Sequence, residues 1–369
     1  PPGRRPAGVL GPRVAFRLDA LRGTFRLRAE LVQGQRHLAL LGPSGAGKSF
    51  TLRLIAGLDR PPGAEVRLDD RDVSAVPAER RRVGYVPQDD ALLPGRTVWQ
   101  QVLFGVGADP ALASHWLAAL GLSGLQDRLP EQLSGGQRRR VAIVRALAVA
   151  PSLLLLDEPF TGLDAPVRSE LRRELRRLQR ATSLSTILVT HDAEEAATLA
   201  DSVLLIEGGR VAQSGPQPEV YAHPASALVA RLLGIQNVFA GEAASGGRIA
   251  TDGVLLPVCG ELPAAGTPLT WSIRPEEVRL VIEGGLRARV DDRIDLGTMS
   301  DLELEVAGGL RLIARVATRE APGVGERCSI VLSPEAIVVW GDGASPSAGR
   351  VPADVCAAAA TPSATITSD

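Results

Sequence analysis

The sequence predicts an α/β domain with a mostly parallel sheet, followed by a small all-β domain. Between about residues 14 and 235, strand-like apolar runs alternate with helix-like segments, as in a parallel sheet covered by helices. From about residue 236 to residue 341, short β-rich segments are separated by Gly, Pro and Asp turns, which is typical of a small barrel or sandwich. The chain has 369 residues, 45% of them hydrophobic, which is enough for two such cores.

The two ends of the chain are predicted to lie outside these cores. Residues 1–13 form an N-terminal extension with arginines but without a long apolar run. Residues 342–369 are rich in Ala, Ser, Pro and Thr and contain few large apolar groups, so this tail is predicted to be disordered.

Composition excludes several classes of protein. The formal net charge of −1 argues against a protein whose main task is non-specific binding of nucleic acid, because such domains are usually strongly basic. The three cysteines are odd in number and widely spaced, so they predict neither a disulfide framework nor a zinc cluster and suit a reducing, cytosolic setting. No apolar run approaches the roughly 18 residues that cross a bilayer. If the protein works at a membrane, we expect another chain to span it.

The glycine-rich stretch LGPSGAGKSF follows the apolar run RHLALL and precedes the helix-like segment KSFTLRLIAGL. A strand, a glycine turn and a helix are the setting of a phosphate-binding loop, in which backbone N–H groups surround phosphate oxygens; the alternative is a turn that only joins strand to helix. We expect Lys48 to reach the β- and γ-phosphates and Ser49 to offer its hydroxyl to Mg²⁺. The candidate nucleotide-binding residues here are Gly42, Pro43, Ser44, Gly45, Ala46, Gly47, Lys48, Ser49 and Phe50.

A helical insert is predicted over about residues 89–150, and it ends in the stretch LSGGQRRRVAIVRALAVAP. Ser134, Gly135 and Gly136 come just before a helix-like pattern with one apolar face, so they predict a second helix N-terminus that can bind an anion. One chain would then carry two phosphate-binding ends. Two copies arranged head to tail would enclose each nucleotide between the glycine loop of one copy and this second group, which includes Gln137, of the other.

The stretch LLLLDEP predicts a strand buried on both faces that ends in two adjacent carboxylates. Ligands bind at the carboxyl ends of strands in open α/β sheets, so we expect Asp157 to bind Mg²⁺ and Glu158 to polarise an attacking water. A plain polar cap on the strand is the alternative.

The stretch RSELRRELRRLQR, residues 168–180, is the most basic part of the chain. Its leucines at positions 171, 175 and 178 recur at helical spacing, and two glutamates lie among the arginines. A solvated amphipathic helix is therefore favoured over a nucleic-acid surface.

With these motifs in order over roughly residues 14 to 235, the chain resembles the ATP-binding subunit of an ABC transporter, of which LSGGQ is the distinguishing motif. The resemblance implies three further site residues. Gln88 in GYVPQDD corresponds to a glutamine that senses Mg²⁺ and contacts the membrane subunit, and Asp164 in TGLDAP to an aspartate that crosses the dimer interface. His191, after the strand-like run TILVT, corresponds to the histidine that contacts the γ-phosphate. A lone histidine after a strand can also be purely structural.

The resemblance implies ATP and Mg²⁺ as cofactors, and hydrolysis by Glu158, His191 and Gln88, with Ser49, Gln88 and Asp157 near the metal. It leaves one residue unassigned, because the family stacks adenine on an aromatic side chain some two dozen residues before the glycine loop. Phe16 and Phe25 flank that position, and either could instead belong to the core. Phe50, where the family often has Thr, is a second departure from the pattern.

The region after His191 is similar to the importer branch, and segments such as NVFAGE and WSIRPEEVRL are similar to TOBE-type domains of binding-protein-dependent importers. This resemblance implies a peripheral subunit at the cytoplasmic face of the cell membrane. Its partners would be a second copy or a paralogous ATPase subunit, an integral membrane permease and, indirectly, an extracytoplasmic substrate-binding protein.

The cargo implied by this likeness is an oxyanion such as molybdate, tungstate or sulfate, with ferric iron, polyamines and sugars as alternatives. Two other classes of function are a soluble ABC-type ATPase and a regulatory module that binds ATP without hydrolysis. The single cassette argues against the first and the presence of Glu158 against the second.

Overall fold

The computed structural model describes residues 13–32 and 35–341. The expected disordered tail, and all of the expected N-terminal extension except Arg13, lie outside the described residues. The chain separates into two compact units that divide between Ala222 and His223. The change of pattern in the sequence had placed this boundary after Ile235.

The first unit contains a ten-stranded sheet and seven α-helices among its described residues. Its strands are β1 (Val14–Arg22), β2 (Phe25–Leu31), β3 (His37–Leu41), β4 (Ala64–Leu68), β5 (Arg71–Asp72), β6 (Val83–Val86), β7 (Leu153–Asp157), β8 (Ser185–Val189), β9 (Ser202–Glu207) and β10 (Arg210–Pro216). Its helices are α1 (Lys48–Ala56), α2 (Val98–Val102), α3 (Pro110–Ala119), α4 (Gly135–Leu147), α5 (Ala165–Ala181), α6 (Ala193–Leu199) and α7 (Gln217–Ala222).

The sheet has the strand order β5-β4-β1-β2-β10-β9-β3-β8-β7-β6 and is mixed rather than mostly parallel. Strands β6, β7, β8, β3 and β9 run parallel, as expected for strands joined through helices. The pairs β1–β2 and β9–β10 are antiparallel because only two residues connect each of them, and β4 and β5 continue that antiparallel half.

Strands β3, β7 and β8 are buried at all five positions, which explains their continuous apolar sequences. The helices of the insert pack with α5 and with one face of strands β7 and β8 in a single core, which includes Leu117, Val144 and Leu175. Helix α5 buries Leu171, Leu175 and Leu178 and exposes arginines on its other face, so the predicted amphipathic helix is confirmed.

The second unit contains one α-helix and two five-stranded sheets among its described residues. The helix is α8 (Ala227–Leu232), and the strands are β11 (Val238–Ala244), β12 (Arg248–Thr251), β13 (Val254–Pro257), β14 (Pro268–Ser272), β15 (Val278–Val281), β16 (Leu286–Asp295), β17 (Met299–Val306), β18 (Arg311–Ala317), β19 (Arg327–Leu332) and β20 (Val338–Gly341). The sheets have the orders β13-β12-β11-β14-β20 and β15-β19-β16-β17-β18. The predicted all-β unit is confirmed.

One core fills the space between the two sheets of the second unit, with Trp271 from one sheet and Val290 and Leu304 from the other fully buried. Helix α8 packs on β11 and β14, which is why the structural boundary falls before this helix. Asn237 precedes β11 and covers the edge strand β18. Its side-chain amide donates to the Ile313 carbonyl over 2.7 Å and accepts from the Ile313 N–H over 2.8 Å.

None of the helices in the described part of the chain is both long enough and apolar enough to span a bilayer.

Candidate functional site

Four segments of the chain meet at the carboxyl ends of the parallel strands in the first unit's sheet. Strands β3, β8 and β7 are direct neighbours and run parallel, with Leu40 paired with Val189 and Val189 paired with Asp157. The glycine loop follows β3, the segment with His191 follows β8, and Glu158 follows β7. Strand β6 pairs with β7 and brings the segment of Gln88 to the same edge. The fold thus collects four regions that are far apart in the sequence.

The loop between β3 and α1 has two positions that accept only glycine. A Cβ atom on Gly42 would lie 2.1 Å from the Ile206 carbonyl oxygen, and the backbone there has φ of +153°. Gly47 has φ of +103°, and a Cβ atom on it would lie 3.0 Å from the Phe25 ring. Backbone that approaches its neighbours this closely needs residues without side chains.

Lys48 lies inside the curve of this loop. Its Nζ donates to the carbonyl oxygens of Gly42 over 2.8 Å and Pro43 over 2.9 Å, and the side chain is almost fully buried. Burial lowers the pKa of Lys48, while the nearby carboxylates of Glu158 and Asp157 oppose this effect. The ammonium group is therefore fixed at the N-terminus of α1, where the helix dipole also favours an anion.

Asp157 ends β7 and is held by two hydroxyl groups. Ser49 Oγ donates to its Oδ1 over 2.9 Å, and the Tyr85 hydroxyl donates to its Oδ2 over 3.3 Å. Burial raises the pKa of Asp157 and also that of Tyr85. Tyr85 was not predicted as a site residue; its position on β6 beside β7 is a long-range feature that its sequence motif does not show.

Glu158 is the residue around which the other groups gather. Its backbone has φ of +47°, and its N–H donates to the Val189 carbonyl over 3.0 Å, which turns the side chain away from the strand. Its Oε2 accepts from Gln88 Nε2 over 3.4 Å and from Thr161 Oγ1 over 3.0 Å, and lies 3.7 Å from His191 Nδ1. The structure thus brings together the three residues predicted to carry catalysis.

His191 projects from a loop with a fixed backbone. Its side chain is 61% exposed, against 15% for Glu158. The Thr190 hydroxyl donates to the buried Glu195 carboxylate and accepts from the Asp192 N–H, and Asp192 caps helix α6. An exposed imidazole on a rigid loop can contact a group that enters from solvent.

The LSGGQ motif starts helix α4. Ser134 is the N-cap, its hydroxyl accepts from the Gln137 N–H, and the Gln137 side chain accepts from the Ser134 N–H over 2.9 Å. Gly135 and Gly136 lie within the first turn, not before the helix as the sequence had suggested. A Cβ atom on Gly136 would lie 2.5 Å from Val167 Cγ1, whereas one on Gly135 would meet only Arg138 Nη2, at 3.8 Å.

Asp164 is the N-cap of helix α5, and its carboxylate accepts from the Val167 N–H over 3.0 Å. Val167 also packs against Gly136, so these two helix starts lie side by side. In the described residues, no hydrogen bond joins the groups at 134–137 or Asp164 to the glycine loop. Within one chain, the predicted site is therefore assembled in two separate parts.

The aromatic candidates for a base-stacking role occupy different places. Phe16 lies in the buried core of the sheet, and Phe25 packs against Gly47, so each is used in packing. Phe50 is also buried, and the Arg22 guanidinium lies 5.7 Å from the centre of its ring. A cavity of about 750 Å³ opens beside Arg22 and Phe50. It is also lined by Leu21, Leu58, Asp59, Arg60, Pro61, Ser74 and Ala75.

The sheet order and the loop around Lys48 define this chain as a P-loop nucleotide-binding protein. Residues 26–161 match the family described as ABC transporter, and residues 271–340 match the TOBE domain. The chain therefore belongs to the ABC transporter family, as an ATPase whose cassette is followed by a TOBE domain.

Two of the similar proteins are named as ATP-binding proteins of sulfate/thiosulfate import. The chain is 46% identical over 285 residues to the sulfate/thiosulfate import ATP-binding protein CysA 1 of Chromobacterium violaceum, which covers 74% of this chain and 79% of that protein. It is 42% identical over 294 residues to the CysA protein of Caulobacter vibrioides, with 77% and 85% covered. It is also 42% identical over 318 residues to the Fe(3+) ions import ATP-binding protein FbpC of Streptomyces coelicolor, with 84% and 90% covered.

Proposed function

We propose that the first unit binds ATP with Mg²⁺ at the glycine loop and hydrolyses it with Glu158 as the general base. The observation that carries this proposal is the convergence of Gln88 and His191 on the Glu158 carboxylate, beside the loop around Lys48. Phosphoryl transfer requires positioning and charge stabilisation more than covalent chemistry, and the site offers groups for both.

The residues present fit a magnesium ion. Ser49 Oγ and Asp157 Oδ1 lie 2.9 Å apart at the start of α1, and Mg²⁺ prefers oxygen ligands of this kind. Ser49 and Asp157 would hold the ion directly or through water, with Gln88 beside them. When bound, the ion would neutralise charge on the β- and γ-phosphates.

Each side chain of the site would have a separate role in hydrolysis. Lys48 would release its bonds to the carbonyls of its own loop and turn to the β- and γ-phosphates, because among the described residues both hydrogen bonds of its ammonium group go to neutral carbonyl oxygens. Glu158 would accept a proton from the attacking water, and Gln88 would orient the Glu158 carboxylate through their contact. His191 would donate to a γ-phosphate oxygen.

We propose that a second copy of this chain, or a paralogous subunit, completes each site. The motif at Ser134, Gly135, Gly136 and Gln137 forms a helix N-terminus with space beside Gly135, suited to an anionic ligand, yet among the described residues no hydrogen bond joins it to the glycine loop of its own chain. Asp164 lies beside it and would also face the partner. Closure of two copies around ATP would place the γ-phosphate against both parts.

A substitution of Glu158 by Gln tests the hydrolysis step. The variant keeps the shape of the side chain but removes the general base, so we expect kcat to fall by about 10²–10⁴-fold with little change in the KM for ATP. ATPase activity of the purified protein with Mg²⁺ measures this. Equal rates for the wild type and Glu158→Gln would rule out the proposed mechanism.

We propose further that this ATPase energises an importer for an oxyanion, with sulfate or thiosulfate favoured over molybdate and tungstate. The 46% identity to a sulfate/thiosulfate import protein supports this choice. In this role the chain would act as a peripheral subunit at the cytoplasmic face of the membrane, on an integral permease that receives cargo from an extracytoplasmic binding protein. Ferric iron is the second candidate, because an Fe(3+) import protein is 42% identical over 318 residues.

Reconstitution with the cognate permease and binding protein tests the cargo. We expect sulfate or thiosulfate to stimulate ATP hydrolysis severalfold, while molybdate, tungstate, ferric iron, spermidine and maltose give smaller effects. Stimulation by ferric iron alone would favour the second candidate, and stimulation by none of these compounds would contradict both.

A further inference from the structure

The segment that carries Gln88 is bound to helix α4 by a buried arginine. Arg139 lies on α4 and is 4% exposed. Its Nη1 donates to the Pro87 carbonyl over 2.8 Å, and its Nη2 donates to the Gln88 carbonyl over 2.6 Å. The same guanidinium forms an ion pair with Asp90, with 2.9 Å between Nη1 and Oδ1. One side chain thus holds the backbone on both sides of the Gln88 side chain.

A second arginine on α4 holds the following residues. Arg145 donates from Nη1 to the Ala91 carbonyl over 2.6 Å and from Nη2 to the Asp90 carbonyl over 2.7 Å. Asp90 and Ala91 both have positive φ, at +60° and +43°, a conformation that needs external support in residues other than glycine. The two arginines supply that support from a single helix.

The surroundings of Arg139 make this attachment specific. Burial lowers the pKa of Arg139 and raises that of Asp90, so both charges have lost solvent and depend on each other. A guanidinium can hold two carbonyls and a carboxylate at once because its donors form a planar fork. A lysine would keep the charge but could not reproduce this set of bonds.

The N-terminus of the same helix carries the LSGGQ motif. Arg139 lies one turn after Gly135 on a continuous helix of 13 residues, so the first turn and the guanidinium move together. At the other end of the linkage, the contact between Gln88 Nε2 and Glu158 Oε2 is long, at 3.4 Å, and a small displacement would make or break it.

We propose that Arg139 is a positioning residue for hydrolysis, which fixes Gln88 to helix α4 so that the LSGGQ end and Gln88 move as one body. This inference rests on the proposed function, in which the LSGGQ end contacts the nucleotide of the second copy. A nucleotide at one site of the dimer would then set the position of Gln88, and through it of Glu158, at the other site.

The test compares two lysine substitutions on the same helix. Arg139→Lys keeps a charge beside Asp90 but loses the fork, so we expect kcat for ATP to fall about tenfold with the KM for ATP within about twofold of wild type. Arg140→Lys is the matched control, because the Arg140 side chain is also largely buried, at 11% exposed, but pairs with Glu170 and Glu174 on α5. We expect its kcat to stay within about twofold of wild type.

A double-mutant cycle with Gln88→Ala separates positioning from general damage. If Arg139 acts through Gln88, Arg139→Lys lowers kcat by less than about twofold when Gln88 is already Ala. Multiplying losses in the double variant, an unchanged kcat in Arg139→Lys, or an equal loss in Arg140→Lys would each overturn the inference, as would a Gln88→Ala variant with full activity.

If Arg139→Lys does not fold, the double variant Arg139→Met with Asp90→Asn removes both charges, keeps at position 90 a residue that tolerates positive φ, and is read in the same way. Failure of the proposed function is a separate result, because it would appear as equal ATPase rates of the wild type and Glu158→Gln. The inference fails on its own when Glu158→Gln is inactive and Arg139→Lys behaves like Arg140→Lys.

Discussion

Asp157, which we propose as a ligand of Mg²⁺, illustrates how a residue of a binding site can lower the stability of the fold. Its carboxylate is buried and its pKa is raised, so the folded chain holds a proton there more readily than the unfolded chain does. The stabilisation is therefore present at low pH and is lost as the pH rises from the ordinary carboxyl pKa through the raised value in the folded chain. Ionisation of Asp157 therefore disfavours folding until a cation joins the carboxylate.

Substitution of Asp157 by Asn tests this account. Without nucleotide at neutral pH, we expect the midpoint of thermal unfolding to rise by about 2–4 °C, or on the order of 1 kcal/mol for a domain of this size. Hydrolysis of ATP with Mg²⁺ should fall by more than about 100-fold, because the metal loses its charged ligand. Calorimetry and ATPase assays measure the two effects.

The matched control is Asp70→Asn, which changes an exposed carboxylate in the turn between β4 and β5 and should alter neither quantity. A lower unfolding midpoint for Asp157→Asn, or full activity with Mg²⁺, would contradict the assignment of Asp157.

Among the elements, the contact between helices α4 and α5 depends on a single missing side chain. A Cβ atom on Gly136 would lie 2.5 Å from Val167 Cγ1, whereas one on Gly135 would contact only the distant end of Arg138 at 3.8 Å. The two glycines are adjacent in one motif, but the absence of a side chain has a different consequence at each position. Gly136 permits close packing of the two helices, and Gly135 leaves space at their shared end, where we propose that a ligand binds.

Two alanine substitutions distinguish these roles. Gly136→Ala should destabilise the chain by about 1–3 kcal/mol because α5 must shift to accept the methyl group. Gly135→Ala should be neutral or stabilising by up to about 1 kcal/mol, since alanine restricts the unfolded chain. Urea denaturation of both variants gives the comparison, and a larger loss for Gly135→Ala would refute this reading of the motif.

The elements also show which features could be predicted from the sequence. The glycine loop, the buried strand before Asp157 and the amphipathic α5 follow from patterns within about ten to fifteen residues, and the structure has all three. The approach of Gln88, Tyr85 and Arg139 to their partners depends on the pairing of β6 with β7 and the packing of α4, which join residues about 50 to 70 positions apart. Sequence patterns alone therefore missed Tyr85 and Arg139.

The direction of strands was also misjudged from the sequence. Alternation of strands and helices predicts parallel pairing, yet the two-residue connections after β1 and β9 produce antiparallel hairpins. Those connections, Gly23-Thr24 and Gly208-Gly209, were visible as turn signals. The domain boundary was missed for another reason, because whether α8 packs on one unit or the other is decided by contacts and not by composition.

For the whole molecule, the proposed sharing of each site between two copies predicts complementation. Lys48→Ala removes the phosphate contact, and Gly135→Asp adds a carboxylate at the open end of α4, so each variant alone should be inactive. In a dimer of one chain of each variant, one site contains both substitutions and the other site contains neither. An equal mixture should regain about a quarter of wild-type activity if dimers form at random and sites work independently.

Activity of the mixture against protein concentration provides the check, because recovery requires exchange between dimers. A mixture that stays inactive after exchange has been demonstrated with labelled chains would argue for sites completed within one chain.

The side-chain amide of Asn237 affects whether a strand of another molecule can pair with β18. In the described residues β18 pairs with β17 alone, and its outer side would be a template for another strand. Asn237 occupies both the N–H and the carbonyl of Ile313, so a foreign strand could join only by displacing it. One polar side chain thus occupies the backbone groups at which a strand of another chain would start to pair with this edge.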